Sequence, residues 1–280
     1  MTLKIVRNIL DLRKETAKWR SDGFLSAVVP TMGALHQGHI ALVRAGLEHA
    51  ERIVATIFVN PKQFGEHEDL GRYPRTETSD LAQLEDAGAH LVFAPQANEI
   101  YPPGFATSVV LAGPAKAGLE DKFRPQFFDG VATVVAKLFT QSQADFAMFG
   151  EKDYQQLMVV TRMARDLDLP IKVIGVPTVR EESGLALSSR NAYLSKAEHH
   201  QAAFLYQTLT QAAAKIRGGE APTRATAAAR RSLTTLGFRV DYVAARNAET
   251  LALPKEKDEP LRLLVAAWLG TTRLIDNIAV

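Results

Sequence analysis

The 280-residue chain contains no cysteine. That excludes a disulfide framework and any thiolate-ligated zinc, and it fits a reducing compartment. No apolar run approaches the roughly 20 residues needed to span a bilayer. The N-terminal Met1-Thr2-Leu3-Lys4-Ile5 lacks the apolar core and small-residue cleavage site of a signal peptide. A cytoplasmic location, off the membrane, is therefore expected. Charge of one sign is missing too: 33 Lys and Arg against 31 Asp and Glu give a formal net charge of +2. Such a balance offers no basic field for nucleic acid. Several well-known loops are also absent. The chain carries no Gly-rich phosphate loop with Gly-Lys-Ser/Thr, no dinucleotide glycine spacing and no recognisable Ser–His–Asp arrangement.

What remains is an ordinary globular composition, 46% hydrophobic and 23% charged, in a chain long enough for two domains. The first two-thirds alternate β-rich runs with helical patterns. Strands are expected at Leu25–Val29, Ile53–Val59, Leu91–Ala94, Phe146–Phe149 and Ile171–Val176. One helical stripe joins Val131, Val134, Val135, Leu138 and Phe139; another joins Leu157, Val160, Ala164 and Leu167. This alternation predicts an α/β fold: a Rossmann-like, mostly parallel sheet with helices on both faces. After about residue 184 the texture changes. A stripe at Ala202, Leu205, Leu209, Ala212 and Ile216 ends at Gly218-Gly219, and an alanine-rich helix follows over 223–236. β-like runs then occupy Arg239–Ala244, Leu261–Trp268 and Thr272–Ile278, with a charged loop over 254–260. The expected division is a Rossmann-like domain over 1–184 and a smaller C-terminal α+β lid domain over 185–280.

The stretch Pro30-Thr31-Met32-Gly33-Ala34-Leu35-His36-Gln37-Gly38-His39 joins the first of these strands to a helix with apolar positions at Ile40, Val43, Leu47 and Ala50. Two imidazoles and two glycines thus sit where a strand hands over to a helix. There, unpaired backbone N–H groups and the positive end of the helix dipole favour an anion. A lone histidine near a helix start is usually a surface or capping residue. A pair three apart, around a glycine directly after a strand, favours contact with phosphate over metal coordination.

Further polar clusters follow other strands. Gly150-Glu151-Lys152-Asp153 offers a cation for a phosphate oxygen, and Asp153 would either cap the following helix or hold a Mg²⁺. Leu187-Ser188-Ser189-Arg190-Asn191 would be a plain loop or a helix cap, or would grip a triphosphate through Arg190. Gln63 and Gln156 are neutral amides that read hydroxyls or a carboxylate without adding charge. Tyr73-Pro74-Arg75-Thr76 is either an ordered lid segment or a turn before a helix. Clusters at the carboxyl ends of parallel strands can converge on one ligand.

His36-X-Gly38-His39 resembles the signature of the nucleotidyltransferase superfamily, and Leu187–Arg190 resembles its second phosphate-binding loop. Longer strings are more specific. Pro30–His39, Phe58–Phe64, Tyr73–Thr76, Phe149–Gln156, Val176–Asn191 and Leu264–Asn277, in this order, resemble the pantoate–β-alanine ligase family over nearly the whole chain. The resemblance implies an ATP-dependent ligase that condenses (R)-pantoate with β-alanine through a pantoyl adenylate, releasing AMP and pyrophosphate. By position in the motifs, His39, His36 and Lys152 would be catalytic. ATP would meet Met32, Gly33, Ala34, Leu35, His36, Gln37, Gly38 and His39; Gly150, Glu151, Lys152 and Asp153; Val179; and Leu187, Ser188, Ser189 and Arg190. Gln63, Gln156 and Met32 would hold pantoate, with Gln63 also near β-alanine. Mg²⁺ would share the triphosphate's charge, with Asp153 as its protein ligand. A homodimer is implied as well, with small molecules as the partners.

One departure stands out. Where the family has Arg-Pro-X-His-Phe-X-Gly-Val, this chain reads Arg124-Pro125-Gln126-Phe127-Phe128-Asp129-Gly130-Val131, so Phe127 replaces the imidazole. The alternatives are a nucleotidyltransferase with a phosphate-bearing acceptor, a silent nucleotide sensor, or an RNA-binding remnant of the superfamily that includes class I aminoacyl-tRNA synthetases. Neutral Gln63 and Gln156 argue against the first, the intact histidines and serine–arginine loop against the second, and the near-zero charge against the third.

Overall fold

The computed structural model describes residues 3–65, 68–255 and 259–280. The first two residues of the N-terminal reading, and 256–258 of the charged loop, lie outside that set. The chain forms two compact units: residues up to Glu151 with Val159–Pro177, and Lys152–Met158 with Thr178–Val280.

In chain order the first unit holds β1 (Lys4–Val6), α1 (Ile9–Ser21), β2 (Ser26–Val29), α2 (Gln37–Leu47), β3 (Arg52–Thr56), α3 (Glu77–Asp86) and β4 (Leu91–Phe93). It continues through α4 (Ala97–Ile100), α5 (Glu120–Phe123), α6 (Phe127–Ser142) and β5 (Phe146–Gly150). The helix α7 (Tyr154–Asp166) leads to the last strand, β6 (Lys172–Val176). The six strands form one sheet in the order β1-β4-β3-β2-β5-β6, and every pairing is parallel. Successive side chains of a strand point to opposite faces. Ala27, Val29, Ile53, Ala55, Val92 and Met148 join Ile40 and Val43 of α2 in one core on the first face. Their neighbours Val28, Val54, Leu91, Phe93 and Ala147 must face the other way and are also wholly buried, so both faces are covered. That is why these strands read as continuous apolar runs.

The strand order positions the site. From β2 the chain runs outward through β3 and β4 on one side, whereas β5 and β6 lie on the other. β2 and β5 therefore flank the switch point, beyond whose carboxyl ends ligands bind in open parallel sheets. The histidine turn follows β2, and Gly150 closes β5.

The second unit contains α8 (Lys196–Ala202), α9 (Phe204–Arg217), α10 (Pro222–Thr235), β7 (Arg239–Asn247), β8 (Leu261–Leu269) and β9 (Thr272–Ala279). The three strands form an antiparallel sheet in sequence order. Leu205 and Leu209 of α9, Leu233 of α10 and Leu263, Val265 and Ala267 of β8 share one core.

Differences from the sequence expectations are local. β1 was not expected, because three residues carry no periodicity to detect. β3 stops at Thr56 rather than Val59; Phe58 instead donates its N–H to Thr31 O at 3.1 Å and packs in the core. α2 ends at Leu47, leaving Ala50 buried in the next turn. The stripe from Ala202 to Ile216 is split between α8 and α9 at Ala203. The serine–arginine segment is a 3-10 helix over Ser189–Tyr193 capped by Ser188, the helix-cap alternative rather than a plain loop.

Candidate active site

The histidine turn is built almost entirely from internal hydrogen bonds. Thr31 N donates to Thr56 Oγ1 at 3.1 Å, which ties the end of β2 to the end of β3. Gly33 and Ala34 both adopt positive φ, +81° and +52°. A β-carbon on Gly33 would stand 3.0 Å from Asp80 Oδ2, so backbone and space both demand glycine. Asp80 is only 1% exposed. Its carboxylate accepts the N–H groups of Ala34 at 3.0 Å and Leu35 at 2.9 Å, and the Thr76 hydroxyl at 3.1 Å. Thr76 precedes α3 as its N-cap residue. Tyr73, in the same segment, is buried with its ring edge-on to Phe64 at 6.0 Å. The Tyr73–Thr76 string is thus the entry to α3.

His36 and His39 form a capping box at the start of α2. Nδ1 of His36 accepts Gly38 N–H at 3.1 Å, and Nδ1 of His39 accepts His36 N–H at 3.3 Å. The ring centroids lie 4.1 Å apart. An Nδ1 that accepts a backbone N–H carries no proton, so each neutral ring bears its hydrogen on Nε2. The N–H groups of Ala34, Leu35, His36 and Gly38 are therefore already occupied. An anion at this turn would therefore meet the positive end of the helix dipole rather than unpaired N–H groups of these four residues.

Met32 and Gln63 are brought together: Gln63 Nε2 donates to Met32 Sδ at 3.1 Å. Gln63 lies in a 3-10 turn, Pro61–Gln63, capped by Asn60, whose side-chain oxygen accepts Lys62 N–H. Asn60 is 1% exposed and gives Nδ2–H to Gln63 Oε1 at 3.0 Å and to Gly130 O at 3.1 Å. Tyr101 donates its hydroxyl to Asn60 Oδ1 at 2.7 Å, and burial pushes that phenol's pKa up, keeping it a donor. Both ends of the Gln63 amide are thus engaged, its oxygen by Asn60 and its NH₂ by Met32.

Arg124 holds the same turn from another side. It gives Nη2–H to Gln63 O at 3.1 Å and pairs in two-pronged fashion with Glu68 at 2.7 and 2.6 Å. Its guanidinium lies 3.7 Å over the ring of Phe127. Phe127 is thus a stacking platform for Arg124.

The remaining candidates belong to the second unit, apart from Gly150 and Glu151 at the end of β5. Lys152 Nζ lies 3.9 Å from Asp153 Oδ2, and the Asp153 side chain is 48% exposed. Gln156 is half-buried near the start of α7. Val179, Leu187 and Ser188–Arg190 form one hairpin: Leu187 N donates to Val179 O at 3.0 Å, and Arg180 bridges Ala186. Gly184 sits at its tip at φ +90°, where a β-carbon would strike the Tyr206 ring at 2.6 Å. Ser188 caps the 3-10 helix by accepting Arg190 N–H at 3.3 Å. Among the described residues no group of three or more His, Asp or Glu could cage a metal. A single exposed carboxylate at Asp153 fits a Mg²⁺ that arrives on a triphosphate and keeps its own waters.

A family model described as pantoate-beta-alanine ligase matches residues 4–279. The chain belongs to that family. It is 56% identical over 277 residues to pantothenate synthetase 2 of Bradyrhizobium diazoefficiens, covering 99% of this chain and 98% of that protein. It is 55% identical over 280 residues to the pantothenate synthetase of Caulobacter vibrioides, with the same coverage. Among solved structures, pantothenate synthetase from Thermus thermophilus superposes with a TM-score of 0.91 at 45% identity, covering 98% of each chain. Pantoate-beta-alanine ligase from Francisella tularensis, complexed with beta-gamma ATP and beta-alanine, gives 0.81 at 31%, covering 99% of this chain and 97% of that one. The protein is therefore an enzyme that ligates pantoate and β-alanine, on the fold of that family. No helix among the described residues is long and apolar enough to cross a membrane.

Sequence reasoning missed the supports of this candidate site. Asn60 stood inside a quoted string but only the tertiary structure shows its bonds; Asp80 carried no signal at all. Gly130 has a role the motif did not explain. A β-carbon there would lie 2.2 Å from Lys62 O and 2.5 Å from Lys62 C, both main-chain atoms that cannot swing aside. Gly130→Ala is expected to cost about 1–3 kcal/mol of stability, measured by urea unfolding. A loss within about 0.3 kcal/mol of zero, on that same scale, would show that the turn moves freely.

Proposed function

We propose that the ligation runs in two steps. In the first, the pantoate carboxylate attacks the α-phosphorus of ATP, forming pantoyl adenylate and expelling pyrophosphate. In the second, the amine of β-alanine attacks the acyl carbon, loses a proton, and displaces AMP to leave pantothenate. The complex named for the Francisella relative, with beta-gamma ATP and beta-alanine, supports both ligands. The observation that carries the reading is the fixed histidine pair at the switch point, whose Nδ1 atoms are committed to backbone N–H groups.

In the first step negative charge builds on the phosphate oxygens and the departing pyrophosphate. Catalysis then needs fixed donors and alignment more than a covalent partner. His36 and His39 supply Nε2–H donors whose orientation is set before the substrate arrives. Lys152, Ser188, Ser189 and Arg190 hold the triphosphate; Gly150 and Val179 contribute main chain to the nucleotide. Gln63 directs its NH₂ to pantoate and lies near the incoming amine, Gln156 gives a second neutral contact, and Met32 packs on the dimethyl carbon. Asp153 would hold a Mg²⁺, which when bound neutralises triphosphate charge. The enzyme works as a cytoplasmic homodimer in this reading.

Exchange of labelled pyrophosphate into ATP should require pantoate and proceed without β-alanine. Exchange that ignores pantoate, or that appears only when β-alanine is added, would rule out the adenylate route.

A further inference from the structure

The run Leu264–Asn277 belongs to the family pattern, yet the chemistry above uses none of it. Its end, Asp276-Asn277 on β9, is polar and nearly sealed from solvent, at 4% and 2% exposure. A buried polar pair is costly unless each group is satisfied. Asn277 is satisfied on every side. Its N–H donates to Asp276 Oδ1 at 2.7 Å, and its carbonyl accepts Arg180 Nη2–H at 3.3 Å. Oδ1 accepts Arg262 Nε–H at 2.7 Å, and Nδ2–H donates to the main-chain oxygen of Lys152 at 2.8 Å. Because a guanidinium only donates and a carbonyl only accepts, the amide has one possible orientation.

We propose that Asn277 is a positioning residue for Lys152, fixing the main chain from which that ammonium reaches the triphosphate. The proposal rests on the reading of Lys152 as a phosphate contact. A lysine carries a point charge on a flexible four-carbon stem and has no two-pronged geometry of its own. Its accuracy comes from where its main chain stands, and misplacement by about 1 Å can cost 10²-fold in rate. Lys152 lies in a single 3-10 turn, Glu151–Asp153, rather than inside a long helix. The same anchor grips the next turn. Arg262, held by Asn277, lies 4.1 Å over the ring of Tyr154, whose hydroxyl donates to Ala248 O at 2.9 Å. Asn277 is itself rigid, since Asp276 forms a two-pronged pair with Arg180 at 2.7 and 2.8 Å.

The test is a double-mutant cycle read as ATP affinity, by calorimetric titration of MgATP into four proteins: unaltered, Asn277→Asp, Lys152→Ala and the double variant. Asn277→Asp keeps the acceptor for Arg262 but sets a carboxylate oxygen against the Lys152 carbonyl. The expected result is a Kd raised about tenfold by Asn277→Asp alone, and less than about twofold once Lys152 is alanine. Equal losses in both backgrounds, or no loss in either, would overturn the proposal, because a merely structural asparagine does not depend on the lysine side chain. Asn277→Ala carries the same cycle should the aspartate variant fail to fold, with thermal unfolding as the check. A flat cycle in a protein that binds ATP and exchanges pyrophosphate sinks only this role. An unaltered protein that binds no ATP sinks the two-step reading along with it.

Discussion

His39→Ala is expected to slow pantoate-dependent adenylation by about 10²-fold or more, the scale of one lost transition-state donor. The substitution removes two things: the Nε2–H donor, and the Nδ1 that accepts His36 N–H at 3.3 Å. His39→Asn separates them. Its amide oxygen reaches roughly where Nδ1 stands and keeps the capping box, while the Nε2 donor is gone. Single-turnover rates for both variants should fall together if the donor matters, whereas the asparagine variant should unfold at the unaltered temperature. A near-normal rate in His39→Asn would reduce the imidazole to a helix cap. Loss of a good cap alone costs only about 0.5–2 kcal/mol of stability, and it would not touch the chemical step in a protein that stays folded.

The second large effect falls on a residue that meets no substrate. Asp80→Ala removes the buried carboxylate that accepts two backbone N–H groups, those of Ala34 and Leu35, in a half-buried turn. Each orphaned buried group costs about 1–3 kcal/mol, and the positive-φ turn at Gly33-Ala34 loses the clamp that holds it. Urea unfolding should therefore show several kcal/mol of lost stability by the same sum, with exchange activity falling alongside. Asp80→Asn is not a rescue, since its NH₂ must face one of the two donors it should accept. Unfolding midpoints within error of the unaltered protein would show that the turn stands without its carboxylate.

Phe127, at the position where the family resemblance leads one to expect histidine, has a physical role of its own. An imidazole there would offer polar donors or acceptors. Phe127 offers a face to Arg124, which in turn braces the carbonyl of Gln63 and is itself braced by Glu68. The turn that carries Gln63 is therefore held through stacking and ion pairing. From sequence, Phe127 read only as a lost hydrogen bond, because the partner of its ring was not visible.

Sequence alone determined the parallel α/β layer, the smaller C-terminal α+β part and the motif strings that carry the family. These are written in short-range signals: apolar periods of 2 and 3.6, and residues a few positions apart such as His36 and His39. Only the tertiary structure decided which groups hold those motifs in place. Asp80 reaches across 46 residues to the histidine turn, and Asn277 across 125 to Lys152. A buried carboxylate or amide finds its partners only when separate elements pack, and no local pattern in the chain records which distant backbone groups will need them.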